Sequence, residues 1–178
     1  MAAICKVVAV LDDPVFDLRP TPFDHPDVVR LTGEVQEFYR ERYGDVDISP
    51  IQPGEFAPPR GYFVVGYVDD VAVACGGWRA VPEEGDPLRE GDAEIKRMYV
   101  VAAHRGRGHA RAVLVDLQRA AVRAGRRRLV LETGSVQPEA VALYLSEGYV
   151  PIPNFGFYRC EPRSRCFAKP LPAPHPAR

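Results

Sequence analysis

AEIKRMYVVAAHRGRGHARAVLVDLQRAAVRAG, residues 93–125, carries three structural signals in one run. Ala93 to Val101 is rich in strand-favouring residues and predicts a β-strand. Ala110, Val113, Leu114, Leu117 and Ala121 recur at helical spacing, with Asp116, Arg119 and Arg123 opposite, and predict an amphipathic helix. Between the two, His104, Arg105, Gly106, Arg107 and Gly108 form a tight turn. Glycines that merely continued a helix would each cost ~1 kcal/mol against alanine, so a backbone requirement explains this pair better. The first-turn amides of a helix lack intrahelical partners, and the helix dipole adds roughly half a positive charge there. With no side chains in the way an anion approaches these amides closely, and phosphate is the natural ligand.

Working outward, Leu129 to Thr133 is a short apolar run of the kind expected for a strand covered on both faces. Strand, helix and strand in that order imply a parallel pair with a right-handed crossover. Tyr62–Val68 and Val71–Arg79, separated by Asp69 and Asp70, predict an antiparallel hairpin. Gly76 and Gly77 in its second strand mark a bulge or a close approach by another group. Asp24 is the expected cap of a helix with Val28, Leu31, Val35, Phe38 and Tyr39 on one face, ending near Gly44. Residues 4–11 predict a first strand. The proline-rich loop Asp45–Arg60 has two readings, a cover over a site or an irregular surface excursion. Pro138 opens a further helix, with Glu139 in its first turn, Ala140 and Tyr144 on one face, and Gly148 at its end. Arg165–Lys169 reads as a last strand and 171–178 as a loose tail. The class is mixed α/β, in a single domain over residues 1–170.

A chain of 178 residues buries a proper core without staples, and its net charge of −1 argues against a general nucleic-acid binder. Cys5, Cys75, Cys160 and Cys166 show no Cys-x-x-Cys spacing and read as reduced thiols, although Cys160 and Cys166 are close enough in sequence to pair. No apolar run reaches the ~20 residues of a membrane span, and the start lacks a signal-peptide pattern, so a soluble cytoplasmic protein without membrane partners is expected. His104 and His109 lie five apart, the wrong interval for one helical face, and no metal site is expected.

Arg105-Gly106-Arg107-Gly108-His109-Ala110 fits the pattern Arg/Gln-x-x-Gly-x-Gly/Ala. With the strand Glu-Ile-Lys-Arg-Met-Tyr-Val before it and QPEAVALYLSEGY, residues 137–149, after it, the chain resembles the GNAT superfamily of acyl-CoA-dependent N-acyltransferases. The resemblance spans about residues 24–170 and is specific from 94 to 149. It implies a mostly antiparallel sheet with a central parallel strand pair splayed to admit coenzyme A, and helices on both faces. It also implies acetyl-CoA as cofactor, its pyrophosphate held by Arg105, Gly106, Arg107, Gly108, His109, Ala110 and Arg111. Backbone groups of Met98, Tyr99 and Val100 are then positioned for the thioester oxygen, and Tyr144 for the sulfur. Many members carry asparagine where this chain has Gln137.

An acyl thioester is already activated, so a primary amine attacks it directly once its nitrogen is neutral; a lysine-like amine, pKa ~10.4, must first lose a proton. In many members of the family a glutamate at the place of Glu94 is the general base. Strict alternation places Glu94, Lys96, Met98 and Val100 on one face of the strand and Ile95, Arg97 and Tyr99 on the other. Two readings of Glu94 stand side by side, a general base or a carboxylate that is solvated or paired with an arginine. Tyr144 likewise reads as a donor to the leaving sulfur or as a half-buried core tyrosine. Tyr62, Trp78, Arg79 and Tyr158 are candidates to line the acceptor site, each with an equally ordinary packing or surface role. The acceptor is a small-molecule or peptide amine, and a homodimer is compatible with the sequence. A coenzyme A-binding regulator is the alternative, and a basic nucleic-acid-binding module built on His104, Arg105, Arg107, Arg111, Arg119, Arg123 and Arg126 to Arg128 is a weaker one.

Overall fold

The computed structural model describes residues 15–82 and 85–173. The strand expected over residues 4–11, Cys5 and the end of the tail lie outside them. The elements run β1 (Phe16–Pro20), α1 (Pro26–Tyr43), β2 (Gly61–Val68), β3 (Val71–Ala80), β4 (Asp92–Val100), α2 (His109–Arg123), β5 (Arg128–Gly134), α3 (Pro138–Ser146), β6 (Val150–Ile152) and β7 (Ser164–Pro170). They build a seven-stranded sheet in the order β1-β2-β3-β4-β5-β7-β6. Every neighbouring pair is antiparallel except β4 with β5, the parallel pair that the strand-helix-strand order predicts.

Each face of the sheet is covered by helix because each alternating strand presents apolar residues both ways. Val113, Leu114, Leu117 and Ala121 of α2 pack with Val64, Trp78, Ile95, Leu129 and Leu131, and Tyr144 of α3 joins the same cluster. On the opposite face Val28 and Leu31 of α1 pack with Phe63, Val65 and Cys75. Helix α1 starts one residue later than the sequence predicts: His25, not Asp24, is the cap, its Nδ1 accepting from the Asp27 amide at 3.2 Å.

The alternation expected along β4 breaks in its middle. Cys75 pairs with Tyr99 and Gly77 with Lys96, so the single residue Gly76 stands opposite two, Arg97 and Met98. Arg97 takes the extra place with φ 57°, an uncommon backbone state for a residue with a side chain. Beyond this bulge Met98 and Val100 join Ile95 on the α2 face, whereas Tyr99 packs on the α1 side. Glu94, whose carboxylate meets Arg79, therefore does not share a face with Met98 and Val100. The glycine pair in β3 has the close approach its sequence signals. A Cβ at Gly76 would lie 2.8 Å from Met98 Cγ and 3.0 Å from Val113 Cγ1.

Candidate active site

Pairing between β4 and β5 runs from Asp92↔Arg128 to Ile95↔Leu131 and stops. Past that point β4 continues to Val100 and β5 to Gly134, so the two strands form the arms of a fork. The bulge at Arg97 lies on one arm just beyond the last pair, and the extra right-handed twist of a bulge carries that arm away from its neighbour. A cavity of about 360 Å³ occupies the opening. Its walls include Ile95 to Met98 from β4, Glu132 to Gly134 from β5, Gln137, Ala140 and Tyr144 at and in α3, Tyr39 and Tyr43 from α1, and Asp45 to Ile48 from the loop after it. Tyr158, Glu161, Arg163 and Ser164 complete them. The proline-rich loop thus lines the cavity at its beginning, while Pro53–Phe56 forms a short 3₁₀ turn that packs Phe56 on the core.

The glycine turn sits between the end of β4 and the start of α2. Gly106 and Gly108 adopt φ of 75° and 83°, where a side chain would be strained, and no atom lies within 4 Å of where a Cβ would point. Gly108 is the cap residue of α2 and offers no side chain to the helix amides. Among the described residues, the backbone amides from Gly106 to Arg111 reach no acceptor; the first bonded one is Ala112, to the Gly108 carbonyl at 3.0 Å. The flanking side chains serve the fold. Arg105 Nε donates to the Val100 carbonyl at 2.9 Å with its guanidinium over Phe38, and Arg111 pairs with Glu147 at 2.6 Å. His109 stacks on Phe16 at 4.0 Å, and burial together with His104 holds its pKa below the ordinary value.

Tyr144 is buried, and its hydroxyl lies 3.8 Å from Met98 Sδ, across the fork. Burial pushes its pKa far up, so the phenol keeps its proton. Glu94 is also buried but does not line the cavity. Arg79, its cross-strand partner, holds Oε2 at 3.0 and 2.9 Å, and Lys96 holds Oε1 at 2.8 Å. Arg79 is further tied to Glu55 and to the Pro50 carbonyl.

Of the residues the sequence sets beside the acceptor, Tyr158 lines the cavity, where its hydroxyl accepts from the Ile48 amide at 2.9 Å and donates to Asp47 at 3.2 Å. Tyr62 and Trp78 pair with each other across β2 and β3 on the α2 face; Tyr62 donates to Asp116 at 2.7 Å and Trp78 is enclosed in the core. Neither of them lines the cavity, and Arg79 is spent on its two glutamates.

Sequence reasoning passed over Asp47, Arg97 and Glu132. Asp47 and Arg97 pair at 2.6 Å, joining the loop after α1 to the bulge. Arg97 and the Ser49 bonds hold the Asp47 carboxyl below its usual value, although burial acts the other way and is the largest single influence. Glu132 had a signal: it is a carboxylate within the otherwise apolar strand from Leu129. Its Oε1 accepts from Ser164 Oγ at 2.6 Å, and burial raises its pKa above the ordinary range.

The Acetyltransferase (GNAT) family model matches residues 28–149. An IAA acetyltransferase from Azospirillum brasilense is 32% identical over 144 residues, which span 81% of this chain and 90% of that protein. A solved Klebsiella pneumoniae structure assigned to the acyl-CoA N-acyltransferases is 26% identical, with a TM-score of 0.70 over 88% of this chain and 97% of that one. A Staphylococcus aureus acetyltransferase of the GNAT family, only 13% identical, shares the fold with a TM-score of 0.68 over 89% of this chain and 100% of that one. With the model spanning more than half of its length, the chain belongs to the GNAT acetyltransferase family of acyltransferase enzymes.

Proposed function

We propose that the protein transfers the acetyl group of acetyl-CoA to a primary amine of a small molecule or peptide, by direct attack in a ternary complex. The observation that carries this reading is the run of unpartnered amides from Gly106 to Arg111 at the outer end of β4, with the β4–β5 fork and its cavity behind it. Such a row at a helix N-terminus suits the pyrophosphate of coenzyme A. On its edge toward β5, β4 has no strand partner after Ile95, so main-chain groups around Met98, Tyr99 and Val100 suit the pantetheine arm and the thioester oxygen. When bound, acetyl-CoA supplies an acyl group already activated as a thioester.

The chain's own residues do the rest. Tyr144 holds its proton at neutral pH and aims its hydroxyl across the opening, where it protects and protonates a leaving sulfur. Glu94 acts as a positioning group: with both oxygens taken, it fixes Lys96 at the fork and Arg79 behind it. Tyr39, Tyr43 and Tyr158 give the acceptor side apolar walls with polar tips.

The test is a panel of primary amines with acetyl-CoA, followed by release of free thiol, alongside calorimetric titration with coenzyme A alone. Tight coenzyme A binding with turnover of at least one amine is the expected result. Binding without turnover on any amine would favour a coenzyme A-binding regulator, and absence of binding would end both readings.

A further inference from the structure

The bulge in β4 is built on a residue poorly suited to it. Arg97 carries φ 57°, a left-handed backbone state that disfavours a side chain and that glycine adopts freely. In the turn that follows, the same state falls to Gly106 and Gly108. At the bulge it falls to an arginine, so contacts of that arginine have to offset the cost. The guanidinium supplies one: Arg97 is 8% exposed, and its Nη1 donates to Asp47 Oδ2 at 2.6 Å.

Asp47 is not a loose loop carboxylate. Its amide donates to Gln36 Oε1 at 2.9 Å and its carbonyl accepts from Gln36 Nε2 at 3.0 Å, which fixes its main chain to α1. Its Oδ1 accepts from the Ser49 amide at 2.8 Å and from the Tyr158 hydroxyl at 3.2 Å, which fixes the carboxylate as well. From β3, the Cys75 thiol donates to the Arg97 carbonyl at 3.4 Å. The bulge residue is thus held twice, its carbonyl by β3 and its side chain by the loop after α1.

We propose that Asp47 is a positioning residue for the acetyl donor: through Arg97 it holds the left-handed bulge of β4 and so sets how the main chain of Met98 to Val100 meets the fork. This rests on the acetyltransferase reading above, in which those groups face the pantetheine arm and the thioester oxygen. Neither Asp47 nor Arg97 takes a proton or forms a bond in the reaction; their effect is geometric. Without the bulge, ordinary alternation would move Met98 off the α2 face and Tyr99 off the α1 side. A misplacement of about 1 Å at a reacting centre costs ~10²-fold in rate. If the pair merely neutralised two buried charges, residue 97 could be alanine or glycine alike once both charges were gone. If it holds the backbone, only glycine dispenses with it.

The experiment sets three variants beside wild type: Asp47→Ala, the double variant Asp47→Ala, Arg97→Ala, and the double variant Asp47→Ala, Arg97→Gly. Thiol release from acetyl-CoA with a panel of primary amines is measured at a temperature where each protein is folded. Coenzyme A affinity and amide hydrogen exchange over residues 95–101 are measured alongside. Should Asp47→Ala not fold, because Arg97 is left buried without its carboxylate, the two doubles carry the comparison, since both lack that charge. The alanine double should lose ~10²-fold in kcat. The glycine double should turn over about tenfold faster than the alanine double and exchange more slowly over 95–101. Coenzyme A affinity should stay within about threefold in all, because the free amides from Gly106 to Arg111 lie outside the bulge. Equal turnover of the two doubles beside an active wild type would overturn the assignment, as would a loss of coenzyme A affinity equal to the loss of turnover. A wild-type protein that binds coenzyme A and acetylates no amine would overturn the acetyltransferase reading itself, and the positioning role with it.

Discussion

Asp92 and Arg128, the first register pair of β4 and β5, hold each other through two hydrogen bonds of 2.8 and 2.5 Å at the closed end of the fork. Asp92 is 1% exposed, and the Arg89 amide and the Pro87 carbonyl tie the pair to the preceding loop. Removing one partner leaves a buried charge uncompensated, so Asp92→Ala should lower unfolding free energy by about 3–5 kcal/mol in urea. The double variant Asp92→Leu, Arg128→Met should recover much of that loss. Equal stability of Asp92→Ala and wild type would show that the pair holds nothing together.

Gly108 bears φ 83° at the start of α2. A left-handed alanine is disfavoured by roughly 1–2 kcal/mol, so Gly108→Ala should pull the turn out of shape and weaken coenzyme A binding by about tenfold. Calorimetric titration with coenzyme A checks this, and an unchanged Kd would remove the turn from the donor site.

Tyr144→Phe removes the hydroxyl near Met98 Sδ but keeps the ring packed against Tyr149 and Phe167. Turnover should fall by ~10²-fold or more while coenzyme A affinity and Tm stay close to wild type. If Tm drops in step with turnover, the residue is a core tyrosine and no more.

The raised pKa of Glu132 also has a sign for stability. A carboxyl with a higher pKa folded than unfolded binds its proton more tightly in the native state, so native stability declines as pH rises from the unfolded value through the folded one and stays lower above it. Glutamine carries no charge to bury. Glu132→Gln should therefore gain more Tm over wild type at pH 7 than at pH 4, and melts at those two values that shift equally would contradict the burial argument.

Thiol labelling probes the fold at three further places. Burial pushes Cys75 up to about 12 and Cys166 up to about 11, whereas Cys160 is exposed. Of these three, iodoacetamide at pH 8 should modify Cys160 first and reach Cys75 and Cys166 only after unfolding, as read by mass spectrometry. Early loss of Cys75 would mean that the α1 side of the sheet opens more readily than its packing implies.

The parts of the fold that sequence makes legible are those whose signal is local. The strand before the glycine turn, α2, the β2–β3 hairpin, β5 and α3 fall within two residues of their expected bounds, because periodicity and Pro or Gly punctuation act over a few residues. β1 carries no such local signal: Phe-Asp-Leu-Arg-Pro shows only two apolar residues and becomes a strand by pairing with β2. β6, three residues with a proline, depends in the same way on β7. The site is legible to the same extent. The glycine turn and Tyr144 follow from neighbours in sequence, whereas the face of each β4 residue depends on the bulge at Arg97, which lies opposite Gly76 of another strand. Glu94 and Glu132 look alike as isolated glutamates in strands. What separates them is the side chain each one meets on an adjacent strand, Arg79 for one and Ser164 for the other.

Where two strands part, the ladder that would have joined them is left for a visitor to complete. On the proposed function, a donor lying along the β4 arm would become a temporary member of the sheet, and holding it and staying folded would be the same event seen from two sides. On that reading the enzyme would be most fragile between turnovers, and supplying the thioester would shield it from heat and proteases as well as start its chemistry.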